Sequence, residues 1–193
     1  MNTIIKLIAF LGNPGTQYRY NRHNAGWLFC DACISFADLS WKRGFKGMWA
    51  SFETPAGKVF CIKPDTYMNL SGESVHELSQ YYRIERTEIL VVHDELELPF
   101  GYISLKYSGG LGGHNGLRSI NQHFKSPDFW RLRIGIGRPE HTDIAGYVLS
   151  NFSREDLQAL NATIFPAAEK LVAPVIQGER LILDKTNSNV KVI

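Results

Sequence analysis

Cysteine is scarce in this chain, with three residues, Cys30, Cys33 and Cys61, among 193. So small and odd a number excludes a disulfide-stapled scaffold and indicates a reducing cytoplasm. Cys30 and Cys33 have the spacing of a redox motif, but they lie in an apolar helical stretch, where free cysteine packs as a small hydrophobic residue. A zinc site would need a second pair of ligands, and the sequence offers none. We therefore predict buried structural thiols.

Long apolar runs, internal repeats and low-complexity segments are also missing. The apolar run at residues 4–11 is too short to cross a bilayer, contains Lys6 and lacks a signal-type cleavage site. We therefore expect no targeting segment and no contact with a membrane. The composition, 44% hydrophobic and 21% charged residues, is typical of a globular domain. We predict one domain over residues 1–193, with a poorly ordered tail at 184–193.

A strong net charge is missing as well, because the formal value is only +2. Total charge therefore does not mark a nucleic-acid-binding protein, but its distribution is uneven. Residues 98–138 contain six basic residues against the single acid Asp128, whereas residues 84–97 contain five acids and one arginine. Two interpretations stay open: a basic sector suited to a polyanionic substrate, or a solvated face of uneven charge.

Hydrophobic patterning predicts alternating strands and helices. Strand-like runs occur at residues 4–11, 49–54, 58–62, 89–93, 103–107 and 131–136. Helical periodicity occurs at residues 25–36, 72–82, 115–124 and from 155 onward. The last helix begins with a capping-box pattern at Ser153 and Asp156, and Pro166 is expected to kink it. A turn at 55–57 indicates a hairpin, so this order predicts an α/β domain with a mixed sheet.

Polar clusters follow the ends of several predicted elements. After the first strand, a turn leads to Asn13, Tyr18 and His23, and histidine is the side chain whose ordinary pKa allows proton exchange near neutral pH. Because ligands of open α/β sheets sit beyond the carboxyl ends of the strands, this cluster indicates a reaction site. Three further clusters occur at residues 63–72, 91–99 and 109–116.

Each of these further clusters also has a structural interpretation when it is taken alone. Asn69 or Ser71 fits a helix N-cap, and Asp94 fits a solvated acid at a strand end. His114 fits a cap of the helix that follows it. The glycine-rich cluster matches neither the dinucleotide fingerprint nor the phosphate loop of nucleotide hydrolases, although its backbone amides could face an anion.

Taken together, the motifs resemble the bacterial-type peptidyl-tRNA hydrolase family over residues 4–149, and more loosely through the C-terminal helix. The motifs occur in the same order as in the family: Gly-Asn-Pro-Gly with Arg-His-Asn-Ala-Gly, Tyr-Met-Asn-Leu-Ser-Gly, His-Asp-Glu-Leu, Gly-Gly-His-Asn-Gly-Leu and Arg-Leu-Arg-Ile-Gly-Ile-Gly. The resemblance implies a single α/β domain with a mixed twisted β-sheet flanked by helices. It also implies hydrolysis of the ester between a peptide and the terminal ribose of tRNA, without metal or organic cofactor.

The resemblance implies roles for individual residues. His23 corresponds to the catalytic base and Asp94 to its carboxylate partner. The amides that hold substrate or water correspond to Asn13, Asn69 and Asn115. The residues that line the cleft correspond to Tyr18, Met68 and His114. The basic residues that hold tRNA phosphates correspond to Lys106 and Arg133. The chain departs from the family's usual residues at Asn21, Ser104, Leu111 and in the acidic segment 140–143.

These residue types suit ester hydrolysis. A neutral histidine takes a proton from water, a carboxylate fixes its tautomer, and amides bind a peptide without adding charge. A serine nucleophile would fit the same His–Asp pair but lacks its usual Gly-x-Ser-x-Gly elbow, and Ser71 and Ser108 fit a cap and a loop residue. A rival metal site lacks a familiar ligand spacing and would draw on His93, Asp94, Glu97 and His114. The remaining histidines are expected to be surface or structural residues: His76, His123 and His141.

The main alternative from another class is a catalytically silent RNA-binding protein on the same scaffold. The presence of His23, Asp94 and the three asparagines favours the enzyme. We therefore expect peptidyl-tRNA as the substrate, with no metal, no organic cofactor and no obligatory protein partner. The resemblance further implies a monomer, and the cysteine content a cytoplasmic location.

Overall fold

The computed structural model describes residues 2–139, 143–183 and 188–193. The expectations for His141, for most of the acidic segment and for residues 184–187 of the tail lie outside the described residues. The described strands are β1 (Asn2–Ile4), β2 (Leu7–Phe10), β3 (Lys42–Gly44), β4 (Gly47–Thr54), β5 (Gly57–Pro64), β6 (Ile89–Glu95), β7 (Tyr102–Tyr107), β8 (Trp130–Gly135), β9 (Arg180–Ile182) and β10 (Val190–Lys191).

Helices connect most of these strands. They are α1 (Ala25–Ala32), α2 (Ile34–Ala37), α3 (Ser71–Tyr82), α4 (Asn115–Phe124), α5 (Ile144–Val148), α6 (Arg154–Ala159) and α7 (Phe165–Ile176). Short 3-10 turns occur at Thr16–Tyr18, Arg22–Asn24, Met68–Leu70 and Arg86–Glu88. A π-helical segment at Leu160–Ile164 joins α6 to α7.

Eight strands form one mixed sheet in the order β10-β7-β8-β6-β2-β5-β4-β3, while β1 and β9 pair separately. The inner strands β5, β2, β6 and β8 run parallel, and the outer strands join them in antiparallel fashion. β2 is buried along its whole length and β6 nearly so, because helices cover both faces of the parallel centre. The predicted α/β domain with a mixed sheet is confirmed.

Each face of the sheet has its own hydrophobic core. On one side, α1 and α7 pack over Phe10 and Leu132. The three cysteines are free thiols and are buried in this same core. On the other side, α3 and α4 cover Leu11 and Val91, and Ile120 of α4 is part of this core. The prediction of buried structural thiols is therefore confirmed, and burial raises the pKa of Cys61 well above its ordinary value.

Two predicted elements are each divided. The strand predicted at 4–11 becomes β1 and β2. Lys6 lies between them, where its N–H donates to the Glu88 carbonyl and its carbonyl accepts from the Phe60 N–H. The helix predicted at 25–36 is broken at Cys33, whose backbone is extended. Just beyond this break, the backbone N–H and hydroxyl of Ser35 both donate to Glu169.

Helix ends agree with the sequence in part. Ser153 and Asp156 form the predicted capping box of α6. The irregularity predicted at Pro166 takes the form of the π-helical segment, since proline has no N–H for a regular helical bond. The idea that Asn69 or Ser71 caps α3 is wrong, because Leu70 holds that position without a side-chain bond.

The C-terminal helical segment Arg154–Ile176 is long and apolar enough, by length and composition alone, to cross a membrane. The pattern of burial shows what its apolar residues do in this fold. Leu160, Ile164, Ala168 and Val172 are buried in the core beside the sheet, whereas the helix begins with exposed residues. The segment is therefore a core helix of the domain, as its predicted apolar stripe implies.

Candidate active site

The carboxyl ends of β2 and β6 lie side by side and carry the first two parts of the site. Phe10 pairs with Val92 in the parallel register, so the chain leaves β2 toward Asn13 beside the point where β6 reaches Asp94. α1 starts directly against these ends, because a Cβ added to Gly26 would lie 2.5 Å from the Val92 carbonyl oxygen. This close approach places His23, in the 3-10 turn just before α1, beyond the carboxyl ends of these two strands.

His23 and Asp94 form a buried pair. His23 Nδ1 lies 2.9 Å from Oδ1 and 3.1 Å from Oδ2 of Asp94, and the two residues are 7% and 2% exposed. Burial opposes the charged imidazolium, but the Asp94 charge and hydrogen bond outweigh it and raise the pKa of His23. Nε2 makes no hydrogen bond to a described residue, so the ring keeps one nitrogen for a substrate or water.

His114 contacts the same carboxylate and also caps α4. Its Nε2 lies 3.0 Å from Asp94 Oδ1, and its Nδ1 accepts from the backbone N–H groups of Gly116 and Leu117. The predicted cap is thus confirmed, and the same ring also contacts the pair formed by His23 and Asp94. Burial alone would raise the pKa of Asp94, but the two imidazoles hold it well below its ordinary value.

Asn13 is oriented by a pair of bonds that sequence reasoning missed. Asn24 accepts from the Asn13 N–H at 2.9 Å and donates to the Asn13 carbonyl at 3.0 Å. The Asn13 side-chain oxygen accepts from the Met68 N–H at 2.7 Å. Because that oxygen is occupied, the amide N–H groups of Asn13 are left to face a ligand. Asn24 is 1% exposed, and its place beside His23 in the motif was the available signal.

The other two asparagines differ in their surroundings. Asn115 is exposed, and its side-chain oxygen accepts from Arg118 at 3.2 Å, so its N–H groups are also left for a ligand. Asn69 is exposed and has no hydrogen bond among the residues that the structure describes. Asn13 and Asn115 can therefore act as donors in fixed directions, while Asn69 is free to turn.

Two cavities meet at His23. The larger, about 430 Å³, is lined by the three asparagines and by neutral side chains that include Tyr18, Met68 and Leu149. The smaller, about 300 Å³, is lined by His23, Asp94, Glu95, His114 and Arg138 among others. Ala145 and Val148 of α5 form a wall of both. The sequence prediction missed this helix, because five residues are too few for a helical periodicity.

The predicted phosphate-binding residues lie on the neighbouring strands. Lys106 of β7 and Arg133 of β8 are near each other, and burial together with the Arg133 and Arg131 charges lowers the pKa of Lys106. The Arg133 Nε donates to Glu95 at 2.8 Å, and the Arg133 side chain is only 12% exposed. The guanidinium is therefore held by a carboxylate that an incoming phosphate would have to replace.

Arg131 is a second residue that sequence reasoning did not single out. It is 2% exposed and donates to the carbonyl oxygens of Gly110, at 2.7 Å, and Gly109, at 3.0 Å. A buried cation is costly unless it is hydrogen-bonded, so these bonds fix the glycine-rich segment that leads to His114. The basic sector thus includes a structural clamp as well as residues open to a ligand.

The rival chemistries fit the geometry less well. His23, Asp94 and His114 offer ligand atoms within 4.8 Å of one another. However, His114 Nδ1 accepts two backbone N–H groups, so Nε2 must carry the proton, and a metal there would require an imidazolate. The hydroxyls of Ser71 and Ser108 do not serve as nucleophiles for this pair, because Ser71 donates to the Met68 carbonyl and Ser108 to Asp128.

Comparison with known proteins agrees with this geometry. The family model for peptidyl-tRNA hydrolase matches residues 7–192. The chain belongs to the peptidyl-tRNA hydrolase family. A peptidyl-tRNA hydrolase of Treponema pallidum (strain Nichols) is 51% identical over 160 residues, which cover 80% of this chain and 79% of that protein. A peptidyl-tRNA hydrolase of Geobacter sp. (strain M21) is 40% identical over 174 residues, covering 90% and 93%.

The fold agrees with solved structures of peptidyl-tRNA hydrolases. The crystal structure of the enzyme from Acinetobacter baumannii has a TM-score of 0.83 and 38% identity, covering 92% of this chain and 91% of that chain. A complex of peptidyl-tRNA hydrolase with N-propanol has a TM-score of 0.82 and 39% identity, covering 90% and 89%. The resemblance inferred from the sequence is confirmed, and with it the activity of the family.

Proposed function

We propose that this enzyme cleaves the ester between peptide and tRNA with a water molecule that His23 activates. The observation that carries this mechanism is the buried contact between His23 Nδ1 and Asp94, with Nε2 left without a described partner at the junction of two cavities. A histidine held in this way accepts a proton at Nε2 while the carboxylate stabilises the resulting imidazolium. General-base assistance of this type contributes about 10²–10⁴-fold to a rate.

The reaction then needs only groups of this chain and water. The water oxygen bonds to the ester carbon while its proton moves to His23 Nε2. The tetrahedral intermediate collapses by breaking the bond to the ribose oxygen, which takes the proton from His23. The products are a peptide carboxylic acid and tRNA with a free terminal hydroxyl, and His23 returns to its neutral form.

Asparagine donors supply the second requirement, a partner for the developing oxyanion. The free N–H groups of Asn13 and Asn115 are the candidates, because the oxygen of each side chain is already occupied. We further propose that Asn69 and Asn115 bind the peptide unit, while Tyr18 and Met68 shape the wall. Neutral amides accept any peptide sequence, which suits an enzyme for many nascent chains.

Binding of tRNA is assigned to the basic residues Lys106 and Arg133. Arg133 lies on β8, which pairs with β6, and Lys106 lies on β7, the next strand beyond β8. Because β6 ends in Asp94 and Glu95, phosphates bound on these strands would place the acceptor end near His23. Affinity that rests on phosphate contacts falls with rising salt. We further propose that the enzyme acts as a cytoplasmic monomer, without a membrane or an obligatory protein partner, and recycles tRNA from prematurely released peptidyl-tRNA.

The direct test is hydrolysis of an N-acetyl-aminoacyl-tRNA by purified protein, before and after dialysis against a chelator. We expect release of the N-acetyl amino acid at the same rate in both preparations. Binding of the tRNA without cleavage would instead identify a silent RNA-binding protein. Loss of activity on dialysis, with recovery on addition of a divalent metal, would contradict the metal-free mechanism.

A further inference from the structure

We propose that His114 is a positioning residue that holds the Asp94 carboxylate and thereby sets how strongly His23 binds its proton. The inference rests on the proposed roles of His23 and Asp94. It assigns to His114 a part in the reaction beyond lining the cleft, although it does not touch the reacting atoms. The proposal follows from the direction of its hydrogen bonds, the burial of their shared acceptor and the anchoring of the ring.

The direction of the bond between His114 and Asp94 is fixed by the helix cap. The His114 Nδ1 accepts from the N–H of Gly116 at 3.1 Å and from the N–H of Leu117 at 3.3 Å. A nitrogen that accepts two N–H groups cannot carry its own proton, so the proton of the neutral ring lies on Nε2. His114 is therefore a donor to Asp94 Oδ1, at 3.0 Å.

Asp94 consequently accepts from two imidazoles through the same oxygen. Oδ1 lies 2.9 Å from His23 Nδ1 and 3.0 Å from His114 Nε2. At 2% exposure, Asp94 has little room for water to replace either donor. The His114 bond stabilises the carboxylate independently of His23 and restricts its rotation. Without that bond, His23 would be the main donor to Asp94 and would hold its proton more strongly.

The His114 ring is well anchored for this purpose. His114 is the N-cap residue of α4, and the first turn of this helix packs closely against its surroundings. A Cβ added to Gly116 in this turn would lie 2.6 Å from Met68 Sδ. The preceding glycine-rich segment is held by Arg131. The ring centroid of His114 lies 4.7 Å from that of His23 and 5.0 Å from that of His93.

Other charged and titratable groups near His23 are fewer and less direct. His93 donates through Nδ1 to the Asp94 backbone carbonyl at 2.6 Å, and burial keeps its pKa well below the ordinary value. The remaining groups line the two cavities that His23 shares. They are Glu95, Arg138, Tyr18 and Tyr67. His114 is therefore the titratable group that shares an Asp94 oxygen with His23.

Two substitutions separate the two bonds of His114. His114→Asn keeps a good N-cap, because asparagine is favoured at this position, but its shorter side chain cannot reach Asp94. His114→Gln keeps an N–H donor at about the reach of Nε2 but weakens the cap. His76→Asn removes an imidazole from α3, outside the site, and serves as the control. Thermal unfolding shows whether each variant is folded.

The measurements are an NMR titration of the His23 ring in the free enzyme, assigned with His23→Ala, and the pH dependence of kcat and KM on N-acetyl-aminoacyl-tRNA. In His114→Asn we expect the pKa of His23 to rise by roughly 0.5–1 unit. We expect kcat at pH 7 to fall by up to about 3–10-fold, as the neutral fraction of His23 falls, with KM changed less than about 2-fold. In His114→Gln, the pKa of His23 should equal that of the wild type, even where the unfolding temperature of the variant is lower.

An unchanged or lowered pKa of His23 in folded His114→Asn would overturn the proposal. So would an equal rise in the pKa of His23 in His114→Gln and His114→Asn, because keeping an N–H donor to Asp94 would then make no difference. The titration needs no turnover, so it tests this inference even if the mechanism is wrong. Failure of the mechanism would show separately, as cleavage that survives in His23→Ala.

Discussion

Asp94 and Glu95 are neighbours on β6, yet they serve two different regions of the molecule. Asp94 is 2% exposed and accepts from His23 and His114. The Glu95 side chain, 13% exposed, pairs with Arg133. Successive side chains of a strand point to opposite faces, so one strand end supplies both an imidazole partner and a guanidinium partner. Changes beside Asp94 should therefore alter kcat, and changes beside Glu95 should alter KM.

The largest effect is expected from removal of the base. In His23→Ala, kcat should fall by about 10²–10⁴-fold, since the other imidazole on the Asp94 carboxylate, His114, has both ring nitrogens engaged in hydrogen bonds. Single-turnover hydrolysis of N-acetyl-aminoacyl-tRNA measures this loss, and filter binding measures tRNA affinity, which should change little. His76→Ala is the matched control. Near-wild-type turnover by a folded His23→Ala would remove His23 from its role.

A smaller effect is expected when the substrate carries a free amino group. The larger cavity offers neutral amides and no carboxylate among its described lining residues, so little offsets the desolvation of an ammonium. We expect kcat/KM to be roughly 10–100-fold lower for aminoacyl-tRNA than for the N-acetylated form of the same tRNA. Equal values at one salt concentration would point to a general ester hydrolase.

The smallest effects are expected on the Glu95 side. Lys106→Ala should raise KM a few-fold and flatten its salt dependence, by about 0.7 in log–log slope per phosphate contact to a single strand. Glu95→Gln should lower KM instead, because it releases Arg133 for phosphate. Steady-state kinetics at several salt concentrations test both variants. A large fall in kcat at unchanged KM for Lys106→Ala would show that the two regions are not separate.

Much of this fold follows from local patterning. The continuous apolar runs of β2 and β6 mark strands buried on both faces, and residues 115–124 of α4 were predicted to the residue. Short elements such as α5 and β3 were missed, because a few residues carry no periodicity. The divisions at Lys6 and Cys33 depend on partners distant in sequence, Glu88 and Glu169, which no local pattern contains.

The site shows the same division between what is local and what is not. His23 and Asp94 were named from their motifs, and the structure brings them together. The bond from His114 to Asp94 was not predictable. The sequence indicates that His114 caps a helix, but only the fold brings the same ring to the Asp94 carboxylate. The pairing of Arg133 with Glu95 and the clamp made by Arg131 likewise depend on register between strands.

The most direct test of the His23–Asp94 base is the pH dependence of single-turnover cleavage by the wild type and by Asp94→Asn. Only neutral His23 accepts a proton, so activity should be lost as pH falls through its raised pKa, with a wild-type midpoint above 6.5. Asp94→Asn removes the charge that raises this pKa, so its midpoint should move to lower pH while the plateau falls by about 100-fold. The same midpoint in both proteins would contradict the account.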